Sequence, residues 1–172
     1  MFSKITIYTL KRFAHLTIVG IFIHLLQKQD ILLMSFLLVF VVLAIKRKWN
    51  TPNRTLYYLG FTISAVMGVC AELWGITNNL WEYHGLPNGR EFPLWLPCAW
   101  GLAFSFLHSF ESFYVKHLKL DTYKKRLILA IIVSIIIPAY GEIVTVNLGV
   151  WTYHSNYMLF GIPYYAMFLL CL

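Results

Sequence analysis

The stretch LILAIIVSIIIPAYGEIVTVNLGV, residues 127–150, decides the class of fold, because its 24 residues include one charged side chain, Glu142. About 20 such residues in helical form cross the hydrocarbon core of a bilayer. Lipid offers backbone groups no partners, so a helix is the economical spanning structure. Further apolar runs lie to either side, at Phe13–Leu26, Ile31–Ile45, Thr55–Ile76, Pro93–Val115 and Met158–Leu172. Together they predict an all-α, polytopic membrane protein of about six short spans. The first two runs fall short of a full crossing. They either recruit flanking residues, with Lys11 and Arg12 snorkelling, or form a shallow hairpin across Gln27–Asp30. The sixth is expected to be short, tilted or incomplete, since only Tyr164–Leu172 follow Pro163.

Composition agrees with this class. Of 172 residues, 59% are hydrophobic and 12% charged, against roughly 45–50% and 25% in a soluble domain. The net charge of +7 does not indicate a nucleic-acid partner, because the basic residues cluster between apolar runs rather than along one amphipathic face. Lys4, Lys11, Arg12, Lys46, Arg47, Lys48, Arg54, Lys116, Lys119, Lys124, Lys125 and Arg126 share one side of the predicted topology. Lys28 and Arg90 take the other, so twelve of fourteen lie together. The positive-inside rule then places both termini in the cytoplasm, expected at the cytoplasmic (inner) membrane, with Thr77–Phe92 and Trp151–Ile162 outside. Membrane lipid is the expected surrounding partner, with anionic lipid attracted weakly. The oligomeric state is not legible. No cleavable signal is expected, since the first apolar run lacks a small-residue cleavage site.

Cys70, Cys98 and Cys171 sit in apolar stretches without C-x-x-C spacing, and no H-x-x-x-H box occurs. Neither a disulfide, a metal nor another cofactor is expected.

A gap-free shift of 70 residues lays Glu72 on Glu142, Trp81 on Trp151, Tyr83 on Tyr153, His84 on His154 and Pro93 on Pro163. The shared pattern is E-x8-W-x-Y-H-x8-P. It predicts an N-terminal helical hairpin, residues 1–50, followed by a core, 55–172, of two parallel helix pairs, 55–116 and 125–172. Parallel repeats place equivalent side chains about an axis along the membrane normal. Glu72 and Glu142 are therefore expected to face one another.

An ionisable residue within a span is a functional hypothesis by default. Two carboxyls in one apolar cavity do not both ionise readily. The pair therefore suits general acid and base work, protonating a carbon–carbon double bond and removing a proton elsewhere. The alternative is that either glutamate is solvated at the interface or holds backbone groups of the adjoining loop. Trp81, Tyr83, Trp151 and Tyr153, with Trp74, Trp95 and Trp100, would offer ring faces to a carbocation or form an interfacial aromatic belt. His84 and His154 would relay protons or bind a headgroup, or be merely solvated. Asn78, Asn79 and Asn147 would orient the carboxyls or terminate the helices. His108 and Glu111 share a helix face as a proton relay or half a metal site would, or Glu111 pairs with Lys116.

The segment GVWTYHSNYMLFGIPYYAMFLL from Gly149, together with Glu72, Gly75, the W-x-Y loop and Pro93, resembles membrane-bound carotenoid-pathway proteins. These are the bisanhydrobacterioruberin hydratase-like family and the lycopene cyclase domain, and the likeness covers roughly residues 55–172. It implies a helical membrane enzyme that protonates a polyene or terpene and then hydrates or cyclises the cation. The lycopene cyclase pattern puts acids directly after the proline, whereas Pro163 is followed by Tyr164 and Tyr165. The hydratase-like pattern, with its acid on the preceding helix, fits Glu72 and Glu142 better. Asn79-Leu80-Trp81-Glu82 also resembles the N-x-x-W-E segment of membrane terpene cyclases of the meroterpenoid type, in which Glu82 would be the acid.

The leading expectation is thus a non-redox isoprenoid hydratase or cyclase acting on a lipophilic small molecule. Alternatives are a small proton- or cation-coupled transporter, a lipid-binding protein, or a non-catalytic assembly subunit.

Overall fold

The computed structural model describes residues 2–169. Cys171 and the end of the sixth apolar run lie outside the described residues. The chain is 73% helical. Its helices are α1 (Phe2–Leu26), α2 (Asp30–Lys48), α3 (Arg54–Thr77), α4 (Leu96–His117), α5 (Tyr123–Asn147) and α6 (Tyr164–Leu169). Short extended segments are β1 (Trp81–Tyr83), β2 (Trp151–Tyr153), β3 (Met158–Leu159) and β4 (Ile162–Pro163).

Among the described residues, three helical stretches, Lys4–Leu26, Arg54–Thr77 and Tyr123–Asn147, are long and apolar enough to cross a membrane. At ~1.5 Å per residue each measures about 35 Å, enough for a ~30 Å hydrocarbon core. Large apolar side chains on their surfaces point outward, among them Leu25 at 67% exposure and Leu56 at 70%. The first helix starts at Phe2 and so absorbs Lys4, Lys11 and Arg12, which lengthens a run that is short on apolar residues alone.

Two compact units are distinguished, Met1–Leu25 with Leu107–Leu172, and Leu26–Phe106. Nearly all of α1 thus falls in the first unit and α2 in the second. In the first unit α1 lies against the second half of α4 and against α5. Tyr8 stacks on Phe113 at 3.6 Å and donates to the Ser109 carbonyl, and the Thr9 and Tyr114 hydroxyls pair. Thr17 and Tyr140 share a hydrogen bond of 2.7 Å, and Gly20 admits Val144. Polar contacts between apolar helices each contribute about 0.6–2 kcal/mol in a bilayer. Thr122 caps α5 by accepting from the Lys125 N–H.

In the second unit α3 buries a single stripe, Tyr57, Phe61, Gly68, Glu72 and Gly75. The spacings of four, seven, four and three residues make this one face. The first half of α4 fills it: Phe104 lies over Gly60, Trp100 over Gly68, and Phe61 reaches back over Gly101. Ser64 donates to the Trp100 carbonyl and Tyr57 to Ser105. On α2, Leu33 and Leu37 are buried, continuing the face that begins with Asp30.

The sixth apolar run does not open as a helix from Met158. Residues 158–163 form an antiparallel hairpin in which Met158 pairs with Pro163 and Leu159 with Ile162. Phe160 and Gly161 at its turn have φ of 53° and 83°, the mirror-image geometry that suits a two-residue hairpin. Pro163 reinforces this, because it disfavours helical geometry at Ile162. Helix α6 starts only at Tyr164.

Candidate functional site

The way α3 ends sets the direction of the chain beyond it. The helix stops at Asn79, whose φ is +53°, and the Leu80 N–H turns back to the Gly75 carbonyl at 2.9 Å. This left-handed stop is a Schellman motif, and it directs β1 back along the helix that it has just left. The six-membered ring of Trp81 then lies against Gly75. A Cβ there would come within 2.0 Å of the Trp81 ring, so only glycine admits it.

Seated in this way, Trp81 donates its Nε1–H to Glu72 Oε2 at 2.9 Å. The Tyr83 hydroxyl donates to the same oxygen at 2.9 Å. Trp100, lying over Gly68 one turn below, donates its Nε1–H to Oε1 at 3.2 Å. Glu72 is 8% exposed. The carboxylate is therefore held by three aromatic donors inside an apolar helix face. Indole N–H groups can only donate, so the Tyr83 oxygen is the one partner of the three that can exchange a proton with Glu72. Trp95 meets the Tyr83 ring edge-on at 6.2 Å.

An ion pair fixes the loop after β1. Asp30 is 1% exposed and sits 2.7 Å from Arg90 Nη2. Its oxygens also accept the Leu94 N–H at 3.1 and 3.2 Å. Asp30 opens α2, where the helix dipole favours a negative charge. The loop carrying Trp81, Tyr83 and Trp95 is thus tied at one end to α3 through Glu72 and at the other to α2 through Asp30.

The first unit carries a related arrangement. Helix α5 ends at Gly149, φ +71°, with the Val150 N–H returning to the Thr145 carbonyl at 3.0 Å. Tyr153, eleven residues beyond Glu142, donates its hydroxyl to Glu142 Oε2 at 2.7 Å. Glu142 is half-buried, and Trp151 and Tyr153 are buried. Position 145 is threonine, its hydroxyl bonded to the Gly141 carbonyl, where the other copy of the pattern has Gly75.

The remaining expected site residues separate by position. Asn78 and Asn147 are exposed, and each gives its Nδ2 to a carbonyl one turn back, Trp74 and Ile143, at 2.7 Å. Asn79 supplies the left-handed stop. All three terminate helices. His84 is half-buried and His154 exposed, while Glu82 is exposed. Among the tryptophans, Trp49 and Trp74 project outward at 60% and 55% exposure, as belt residues do, whereas Trp81, Trp95 and Trp151 are buried. Among the described residues no three His, Cys, Asp or Glu side chains cluster as metal ligands.

Three elements of the site are absent from the sequence pattern: Trp100 as a Glu72 donor, the Asp30–Arg90 clamp, and the glycines under the indoles. The signal available for the glycines was their spacing, since Gly68, Glu72 and Gly75 occupy one face of α3.

Comparison of the chain with protein-family models, with curated proteins and with solved structures finds no match to any of them.

Proposed function

We propose that this chain is an integral membrane protein of the cytoplasmic membrane, N-terminus inside, that modifies a long-chain isoprenoid by acid and base chemistry. The observation that carries the reading is the buried Glu72 carboxylate, hydrogen-bonded to Tyr83 and framed by the indoles of Trp81 and Trp100. Such a group pairs a proton-exchanging dyad with indoles, the ring type that best stabilises a cation. In this reading Glu72–Tyr83 and Glu142–Tyr153 are the two dyads. One delivers a proton to a carbon–carbon double bond; the other accepts a proton from the cation or from water adding to it. The resemblance to the hydratase-like carotenoid-pathway proteins supports the same chemistry.

The proposal includes six spans and two parallel copies of a helix pair, residues 55–116 and 125–172. Its support is the glutamate-to-tyrosine bond over eleven residues in each copy, together with the same left-handed helix stop.

The test is lipid extraction and mass spectrometry of a host that makes carotenoids or prenylated quinones, with and without this protein. A changed isoprenoid is expected, and Glu72→Gln and Glu142→Gln each abolish the change while the protein remains folded. Full conversion by both variants would overturn the proposal.

A second reading rests on the saturation of Glu72 by three donors. Such a carboxylate also suits a staple that holds the W-x-Y loop on α3 in a non-catalytic membrane subunit. Under that reading Glu72→Gln lowers the melting temperature and no isoprenoid changes in any host.

A further inference from the structure

At the opposite end of α3 from Glu72, Thr55, Tyr58, Leu59 and Thr62 recur at the spacing of one helix face. With Arg54 they line a shallow open groove. Exposed Val66 extends the same stripe along the helix. One end of the groove is cationic and its floor is apolar with hydroxyls near the charge.

The surrounding charge is one-sided. Lys46, Arg47, Lys48 and Arg54 lie close together in sequence, and no acidic residue occurs between Asp30 and Glu72. Arg54 Nη1 donates to the Trp49 carbonyl at 3.1 Å, which holds the guanidinium at the mouth with further N–H donors available for the oxygens of a phosphate. Lys48 Nζ lies 5.2 Å above the Tyr57 ring, bringing a second cation to this end of α3. Tyr58 donates to the Ile45 carbonyl at 3.2 Å and so ties the groove wall to α2. Trp49 is exposed beside it, as an interfacial anchor would be.

We infer that this groove seats one anionic glycerophospholipid, its phosphate against Arg54 and an acyl chain along Leu59, Thr62 and Val66. Both halves of the lipid match the groove: the phosphate answers Arg54, with Lys48 at the same end of α3, and the chain answers an apolar helix face that leads away from them. The basic side of the topology is also the side on which membranes carry anionic lipid. The inference rests on α3 as a span and is independent of the isoprenoid chemistry.

The experiment uses the full chain purified in detergent with phosphatidylglycerol and phosphatidylcholine in equal amounts, and counts retained lipid by native mass spectrometry. Wild type is expected to retain phosphatidylglycerol several-fold over phosphatidylcholine. Arg54→Gln should remove that preference. Lys124→Gln, which removes one exposed charge from the first turn of α5, should keep it. Leu59→Trp, an exposed position that can accept bulk without disturbing the core, should lower retention at unchanged charge. Circular dichroism establishes that the variants remain helical. Absence of preference in the wild type, or equal loss in Arg54→Gln and Lys124→Gln, would overturn the inference in favour of diffuse attraction.

Discussion

Replacing Gly75 by alanine tests the architecture of the Glu72 site through a single methyl group. The added Cβ would stand 2.0 Å from two atoms of the Trp81 ring, whereas ordinary contact begins at 3.4 Å, so the indole must retreat by about 1.4 Å. Its Nε1 now lies 2.9 Å from Glu72 Oε2. A retreat of that size takes it beyond hydrogen-bond range. Overpacking a fitted contact costs about 1–3 kcal/mol, and removing a donor from a buried charged acceptor costs about 1.5–3 kcal/mol more. Alanine's better helix propensity offsets about 1 kcal/mol. The net loss is about 1.5–5 kcal/mol, a fall in melting temperature on the order of 10 °C for a chain of this length. The matched control is Gly141→Ala on α5, where an added Cβ meets nothing within 4 Å. That variant should melt at or slightly above the wild type. Thermal unfolding in detergent, followed by circular dichroism and tryptophan emission, measures both. If Gly75→Ala melts with the wild type and its emission is unchanged, Trp81 does not lie over Gly75 and the account of the site fails.

Arg90→Met should lower stability by about 3 kcal/mol, because it strands the buried Asp30 carboxylate. The double variant Asp30→Leu/Arg90→Met should recover much of that loss in the same melt. Tyr83→Phe removes one of the three donors to Glu72 and should cost about 1.5–3 kcal/mol; isoprenoid conversion, measured alongside, should fall further than it does in Thr77→Ala, an exposed position. The Asp121 carboxyl is held below its usual 3.8 by the hydrogen bond from Lys125. A depressed carboxyl contributes stability above its unfolded value and loses it as pH falls through the folded one. Asp121 is fully exposed, so Asp121→Asn should leave the acid limb of the stability profile below 3.8 unchanged; a clear shift would show that this loop pair is structural.

The glutamates and the W-x-Y segments stand out in the sequence because five residues of uncommon type recur at one offset in an apolar chain. The partners of Glu72 were only partly legible. Trp100 belongs to another helix, and nothing in its neighbourhood marks it as a donor to a residue 28 positions away. Asp30 read as a turn residue, and only packing shows it buried against Arg90 and the Leu94 N–H. Asn78 and Asn147 admitted two roles, and helix-end geometry assigns both to carbonyls one turn back.

What the sequence determined by itself is the helical class, the presence of long apolar segments and the two glutamates within them, because composition and length act without knowledge of neighbours. Tertiary structure decided how far each segment is helical and what each carboxyl touches. Residues 158–163 turn as a hairpin instead of extending a helix, since positive φ at Phe160 and Gly161 is a backbone property that hydropathy does not register. Glu72 is enclosed by indoles because Gly68 and Gly75 leave room on one helix face for rings that arrive from elsewhere in the chain. Such vacancies acquire meaning only when the rings that fill them are in place.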